Sequence, residues 1–145
     1  MHDEFIEVDP AGAVATEAMG HYVAELDALF PSGFDPGTPA PLEVVTVALR
    51  DGRPVACGGL QRIAPGVDEV KRMWVDGSCR GTGLGGRLLR HLETLAAERG
   101  STAVRLDTNG GLTAAIAMYD KAGYRRVERY NNNPYAELFF EKTLS

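Results

Sequence analysis

Val75-Asp-Gly-Ser-Cys-Arg-Gly-Thr-Gly-Leu-Gly-Gly-Arg-Leu-Leu89 sets an arginine at 80, glycines at 81, 83, 85 and 86, and then the start of an amphipathic run. Glycine exposes backbone N–H groups and lets a ligand come close. At a helix N-terminus those groups and the helix dipole together favour phosphate. Arg80 adds a charged, forked donor. The alternative is a flexible turn with no ligand. Stability alone argues against that alternative, because each glycine costs up to about 1 kcal/mol against alanine in a helix.

The flanking sequence places this loop. Upstream, Glu43 to Arg50 is rich in β-formers, Asp51-Gly52 is a turn pair, and Pro54 to Ile63 continues a hairpin. Pro65-Gly66 turns into a third antiparallel strand, Asp68 to Val75. Downstream, Leu84, Leu88, Leu92 and Leu95 predict a helix to about Arg99, capped by Gly100. Ala103 to Asp107 reads as a strand, and Thr113 to Lys121 as a helix closed by Gly123. Tyr124 to Tyr130 and Glu137 to Thr143 read as two closing strands. At the other end, Glu4 to Val8 is a short strand. Val14, Ala18, Tyr22, Leu26 and Leu29 predict a helix over 11–30. The proline-rich stretch Pro31 to Pro41 is long enough to be a functional loop over a site. The order β-α-β-β-β-α-β-α-β-β gives a mixed α/β (α+β) fold. Its central sheet is mostly antiparallel with one parallel pair, and helices lie on both faces. Length fits one domain over 1–145.

Two phosphate ligands compete for the loop. Gly81-Thr-Gly-Leu-Gly-Gly86 matches the dinucleotide pattern G-x-G-x-x-G, and Asp107 follows where a ribose-binding acid would sit. Against this, Asp76 to Arg80 separates the glycines from their strand, antiparallel strands come first, and no further βαβ units follow. A P-loop is excluded, since no Gly-Lys-Ser/Thr is present.

Arg80-x-x-Gly83-x-Gly85, between a strand ending at Val75 and a leucine-rich helix, resembles the coenzyme A loop of the GCN5-related N-acetyltransferases (GNAT). Ala115-Ile-Ala-Met-Tyr119-Asp-Lys-Ala-Gly123-Tyr124 is similar to that family's second signature, A-x-x-L-Y-x-K-x-G-F/Y. The resemblance covers roughly 43–144 and shares the element order above. It implies an acyltransferase that moves an acetyl group from acetyl-CoA to a primary amine in a ternary complex, releasing coenzyme A. It also implies that the strand ending Met73-Trp74-Val75 splays from its neighbour and pairs with the pantetheine arm. The Val75 N–H would then polarise the thioester carbonyl, as an oxyanion-hole donor does. Amides of Arg80, Gly81, Thr82, Gly83, Leu84, Gly85 and Gly86 would wrap the pyrophosphate, with Ala115 also at the cofactor.

Tyr119 matches the family's general acid; spacing alone fits a packed core tyrosine equally well. Glu69 is the best-placed base, with Asp68 beside it and Asp107 and Glu137 as further candidates; a surface carboxylate at the sheet edge is the competing reading. Many relatives carry Asn seven residues before the tyrosine. Here Leu112 stands there, and Asn109, three residues earlier, is the candidate substitute.

The remaining signals are weaker. Residues 1–66 hold ten acids and three bases, and residues 67–145 ten acids and twelve bases, within an overall charge of −5. An acidic first half suggests a cationic acceptor, small molecule or peptide; an ordinary solvated surface explains it as well. The acceptor pocket is expected from residues 11–41 and 130–136. Asn131-Asn-Asn-Pro-Tyr135 either lines it or is a plain hairpin turn. Cys79 precedes a helix start beside Arg80, which can activate a thiol, but it has no nearby histidine, and a surface loop cysteine is the expected reading. Cys57 is read as core. His2, His21 and His91 lack metal-ligand spacing, so no metal is expected. No Lys/Arg block suggests nucleic acid, and no apolar run reaches the ~18–20 residues that span a bilayer. Two cysteines and an acidic start without a signal-peptide pattern point to the cytoplasm. A homodimer is compatible with the family. Two other functions stay open: an acyl-CoA-binding module without turnover, and a dinucleotide-binding oxidoreductase dependent on Asp107.

Overall fold

Asp51 and Gly52 both take positive φ, 53° and 76°, the left-handed pair that a two-residue hairpin turn requires. They fold β2 (Val44–Arg50) onto β3 (Arg53–Ala64). The computed structural model describes residues 3–30 and 42–144. β1 (Asp3–Val8) pairs antiparallel with β2, and β3 with β4 (Val67–Val75). α2 (Leu84–Glu98) then crosses over to β5 (Ala103–Thr108), which runs parallel to β4. α3 (Thr113–Lys121) leads to β6 (Arg125–Val127) and β7 (Leu138–Thr143), both antiparallel. The seven-stranded sheet has the order β1-β2-β3-β4-β5-β7-β6. Its one parallel pair and the element order agree with the sequence reading. The stretch Pro31 to Pro41 lies outside the described residues.

Each face of the sheet buries its own cluster. Leu84, Leu88, Leu89 and Leu92 of α2 pack with Leu60, Val70, Leu106, Tyr119, Tyr124 and Phe140. On the opposite face, Ala15 and Ala18 of α1 (Ala13–Leu29) pack with Val45, Val47, Cys57 and Trp74. The apolar register of α1 differs from expectation. Val14 and Leu29 are exposed, while Ala15 is buried. Ala18 and Leu26 are buried as expected and Tyr22 packs against the same cluster; at the first turn the small side chain of Ala15, not Val14, meets the sheet.

One irregularity shapes the site. Cys57 pairs with Trp74 but Gly59 with Lys71, so β4 carries an extra residue at this point. Arg72 there has φ 57°, a conformation that L side chains rarely adopt. Such a bulge bends its strand and re-aims the side chains beyond it. Val70 and Met73 accordingly contact the same cluster although three positions apart. β4 has already left β5 before the bulge: the two pair only over Val67–Glu69 and Ala103–Arg105.

Candidate active site

The parting of β4 and β5 opens a cleft of about 2190 Å³, larger than the roughly 300–1,000 Å³ of an ordinary small-molecule pocket. Asp76 N–H donates to Val55 O at 2.8 Å. By the alternation of an antiparallel ladder, Val75 N–H therefore points away from β3, toward the gap.

α2 begins at one end of this cleft. Its cap residue Gly83 has φ 83°, and no side chain accepts from the first turn. The first closing bond is Arg87 N–H to Gly83 O, which leaves the N–H groups of Leu84, Gly85 and Gly86 without intrahelical partners. Gly81 also takes positive φ, 79°, and a Cβ at either 81 or 83 would stand in open space. Gly85 has a different role: a Cβ there would come within 2.8 Å of Met118 Sδ, so this glycine lets α2 and α3 meet. The cradle is open, electropositive and free of side chains, which fits a diphosphate.

The other end is built from side chains. Glu69 is buried, and its Oε2 accepts from Tyr130 Oη at 2.5 Å and Asn131 Nδ2 at 3.2 Å. Its Oε1 lies 3.2 Å from Lys71 Nζ. Asn131 Nδ2 also donates to Asp107 Oδ2 at 2.5 Å, and Asn133 Nδ2 to Asp107 Oδ1 at 3.4 Å. A carboxylate from each parted strand is thus tied by one amide. Burial, with Glu69 beside it, raises the Tyr130 phenol above its ordinary range. Tyr22 of α1 lines the same space, pushed up to about 12 by burial and then by Asp107. Phe30 and Tyr135 meet across it, ring centroids 4.9 Å apart.

Between the two ends stands Tyr119. It is buried, packs against Tyr124 and Phe140, and borders the cleft. Burial first, then Tyr22 and Asp107, raises its pKa above that of an ordinary tyrosine.

The cleft brings together Glu69, Met73, Trp74, Val75, Arg80, Gly81, Gly83, Leu84, Gly85, Gly86, Asn109, Ala115 and Tyr119. Thr82 is not among its lining residues, and its hydroxyl turns back to Cys79 O. The Trp74 ring is committed elsewhere: it stacks on His21 at 4.8 Å, so Trp74 has only backbone to offer a ligand. Asn109 holds its own loop, donating to Tyr135 O and accepting from Gly111 N–H, both at 2.8 Å. Glu69 is not at a sheet edge, because β4 is flanked by β3 and β5. Asp68 is fully buried and held by Arg62, Arg99 and Ser101, and Glu137 holds Gly110 N–H; neither lines the cleft. Cys79 is a correction: it is 1% exposed and belongs to the α2-side core. The 3-10 turn at Gly77–Cys79 rotates it inward. The Asn131–Tyr135 stretch is likewise no plain hairpin turn, since residues 128–137 separate β6 from β7 and reach both carboxylates. Tyr130, Tyr22, Glu25 and Arg72 also line or support the site without having been singled out for it; no motif marks them.

Among the described residues no group of three or more His, Cys, Asp or Glu could hold a metal, and no helix is long and apolar enough to cross a membrane.

The profile of the Acetyltransferase (GNAT) family matches residues 12–124, and the chain belongs to that family. An IAA acetyltransferase of Azospirillum brasilense is 38% identical over 103 residues, 68% of this chain and 66% of that protein, so the match spans just under two thirds of that relative. A Klebsiella pneumoniae protein, provisionally assigned as an acyl-CoA N-acyltransferase, is 28% identical with TM-score 0.79, covering 99% of this chain and 98% of its own. A provisionally assigned streptothricin acetyltransferase of Bacillus anthracis, solved with acetyl coenzyme A, shares the fold. It is 19% identical with TM-score 0.63, over 74% of this chain and 65% of its own. The dinucleotide reading does not survive: the sheet has a single parallel pair, and Asp107 faces Asn131 and Asn133.

Proposed function

We propose that the chain is an acetyl-CoA-dependent N-acetyltransferase acting on a cationic primary amine in the cytoplasm. The observation that carries this reading is the gap between β4 and β5, which joins the uncapped start of α2 to a pair of buried carboxylates. Two free, buried cysteines fit a reducing compartment.

Acetyl-CoA supplies, when bound, a thioester whose carbonyl carbon an amine can attack. The N–H groups of Leu84, Gly85 and Gly86, with Arg80, hold the diphosphate. The free edge of Met73 to Val75 aligns the pantetheine arm, and Val75 N–H faces the developing oxyanion. Glu69 takes the proton of the attacking nitrogen, directly or through one water, oriented by Tyr130 and Asn131. Asp107 draws the cation in. Tyr119 Oη donates toward the departing sulfur. Its raised pKa keeps the phenol protonated at every physiological pH, so the proton is in place when charge builds on sulfur.

The test is calorimetry with acetyl-CoA, NADH in parallel, and Gly83→Glu as control. It is followed by thiol release over a set of diamines, aminosugars and N-terminal peptides. Micromolar acetyl-CoA binding lost in the variant, with release on at least one cationic amine, is expected. Binding without turnover on any amine points instead to a binding module. Binding of NADH alone defeats the reading.

A further inference from the structure

Arg80 stands between the 3-10 turn and Gly83, at the cofactor end of the cleft. Its guanidinium is already engaged: Nη2 lies 2.5 Å from Oε1 of Glu25. Glu25 is on α1, across the cleft, and both residues line it. The pair therefore ties two walls of the site through groups that are half exposed (Arg80, 50%) and one-third exposed (Glu25, 33%). An ion pair this wet contributes little to stability, yet it occupies the only charged side chain of the glycine loop between Val75 and Gly86 apart from Asp76. Asp76 itself is turned onto Ser78.

We propose that Glu25 is an internal competitor for the cofactor's phosphate site. Its carboxylate holds Arg80 until a diphosphate, with more charge and more acceptor oxygens, takes the guanidinium over. Glu25 thereby lowers the affinity for acetyl-CoA and couples the phosphate end to the helix that walls the acceptor end. This rests on the reading of the loop as the diphosphate site. The exchange is chemically simple: no bond forms or breaks, and one ion pair replaces another.

A distinct pair interaction separates from a general field effect in a double-mutant cycle. Acetyl-CoA is titrated calorimetrically into the wild type, Glu25→Gln, Arg80→Gln and the double variant, each checked for an unchanged melting temperature. Glu25→Ala stands in should Glu25→Gln melt early. The expected results are about three- to fivefold tighter binding for Glu25→Gln and about tenfold weaker binding for Arg80→Gln. The double variant should match Arg80→Gln alone. S-acetylpantetheine, a thioester without phosphate, should bind wild type and Glu25→Gln alike. Equal or weaker acetyl-CoA binding by Glu25→Gln overturns the proposal. So does tightening of the same size in the Arg80→Gln background, which is what a mere loss of negative charge would give. If Arg80→Gln binds like wild type, the loop reading itself fails and takes this inference with it. If Arg80→Gln weakens binding and Glu25→Gln leaves it unchanged, only the competition fails.

Discussion

The two ends of the cleft are made of different material. At the α2 end the ligand-facing surface is backbone: uncapped N–H groups, two glycines at positive φ, and no side chain in the way. At the 130–135 end it is side chains drawn from β4, β5, α1 and the segment before β7. A backbone site needs glycine at fixed positions and so writes itself into consecutive residues. A side-chain site can be assembled from any segments that the fold brings together. One architecture can therefore keep its cofactor and change its acceptor.

The largest expected effect tests the residue between the two ends. Tyr119→Phe should lower kcat by about 10²–10⁴-fold and leave acetyl-CoA affinity unchanged, because the change removes only the hydroxyl and keeps the ring packed on Tyr124 and Phe140. Steady-state kinetics alongside calorimetry separate the two quantities; a change in affinity with kcat intact would place Tyr119 in the packing of the cofactor end. The pH dependence follows from the direction of the shift. Burial raises the phenol's pKa, so it keeps its proton as pH rises past the point where a free tyrosine, at about 10, loses half of it. Wild-type kcat should show no alkaline fall from this residue between about pH 8 and 10.

A smaller effect is expected at the acceptor end. Asn131 Nδ2 donates to Glu69 and Asp107 at once. Asn131→Ala removes both bonds and leaves the α2 cradle alone. KM for the amine should rise about tenfold, with the acetyl-CoA Kd within a factor of about two of wild type. If both constants move together, the two ends are not independent and the contrast drawn between them is wrong.

Legibility in the sequence followed the same division. Alternating and helical periods located the strands and helices because each element buries one face. Within α1 the expected Ala18, Tyr22 and Leu26 do face the sheet, but hydrophobic size also pointed to Val14 and Leu29, which are exposed, and passed over Ala15, which is buried. Arg80, Gly83 and Gly85 stood out as a motif because φ and close approach restrict those positions. Tyr130 and Glu25 fall in the stretches 11–41 and 130–136 expected at the acceptor pocket, but no motif marked either one. Tyr130 meets Glu69 across 61 residues and Glu25 meets Arg80 across 55, and any tyrosine or glutamate looks the same before the chain folds. The bulge at Arg72, just beyond the last pairing of β4 with β5, is invisible to alternation counts because it shifts parity by one within a run that remains β-forming.

Cys79 gives the smallest effect and the sharpest check on the cofactor end. It sits in the glycine loop, one residue before Arg80 and at the approach to a helix start, where the sequence reading expects a surface cysteine. The structure turns it into the α2-side core instead, at 1% exposure, with its sulfur 3.7 Å from Ser78 Oγ. Cys57 is buried under α1, and burial pushes its thiol up to about 12. Both sulfurs are shut away from solvent, so a disulfide reagent should label neither cysteine in the native protein and both after denaturation. Fast native labelling of Cys79 would mean that the 3-10 turn opens. The loop would then be a mobile segment that closes on its ligand, and the backbone cradle would be formed by binding, not waiting for it.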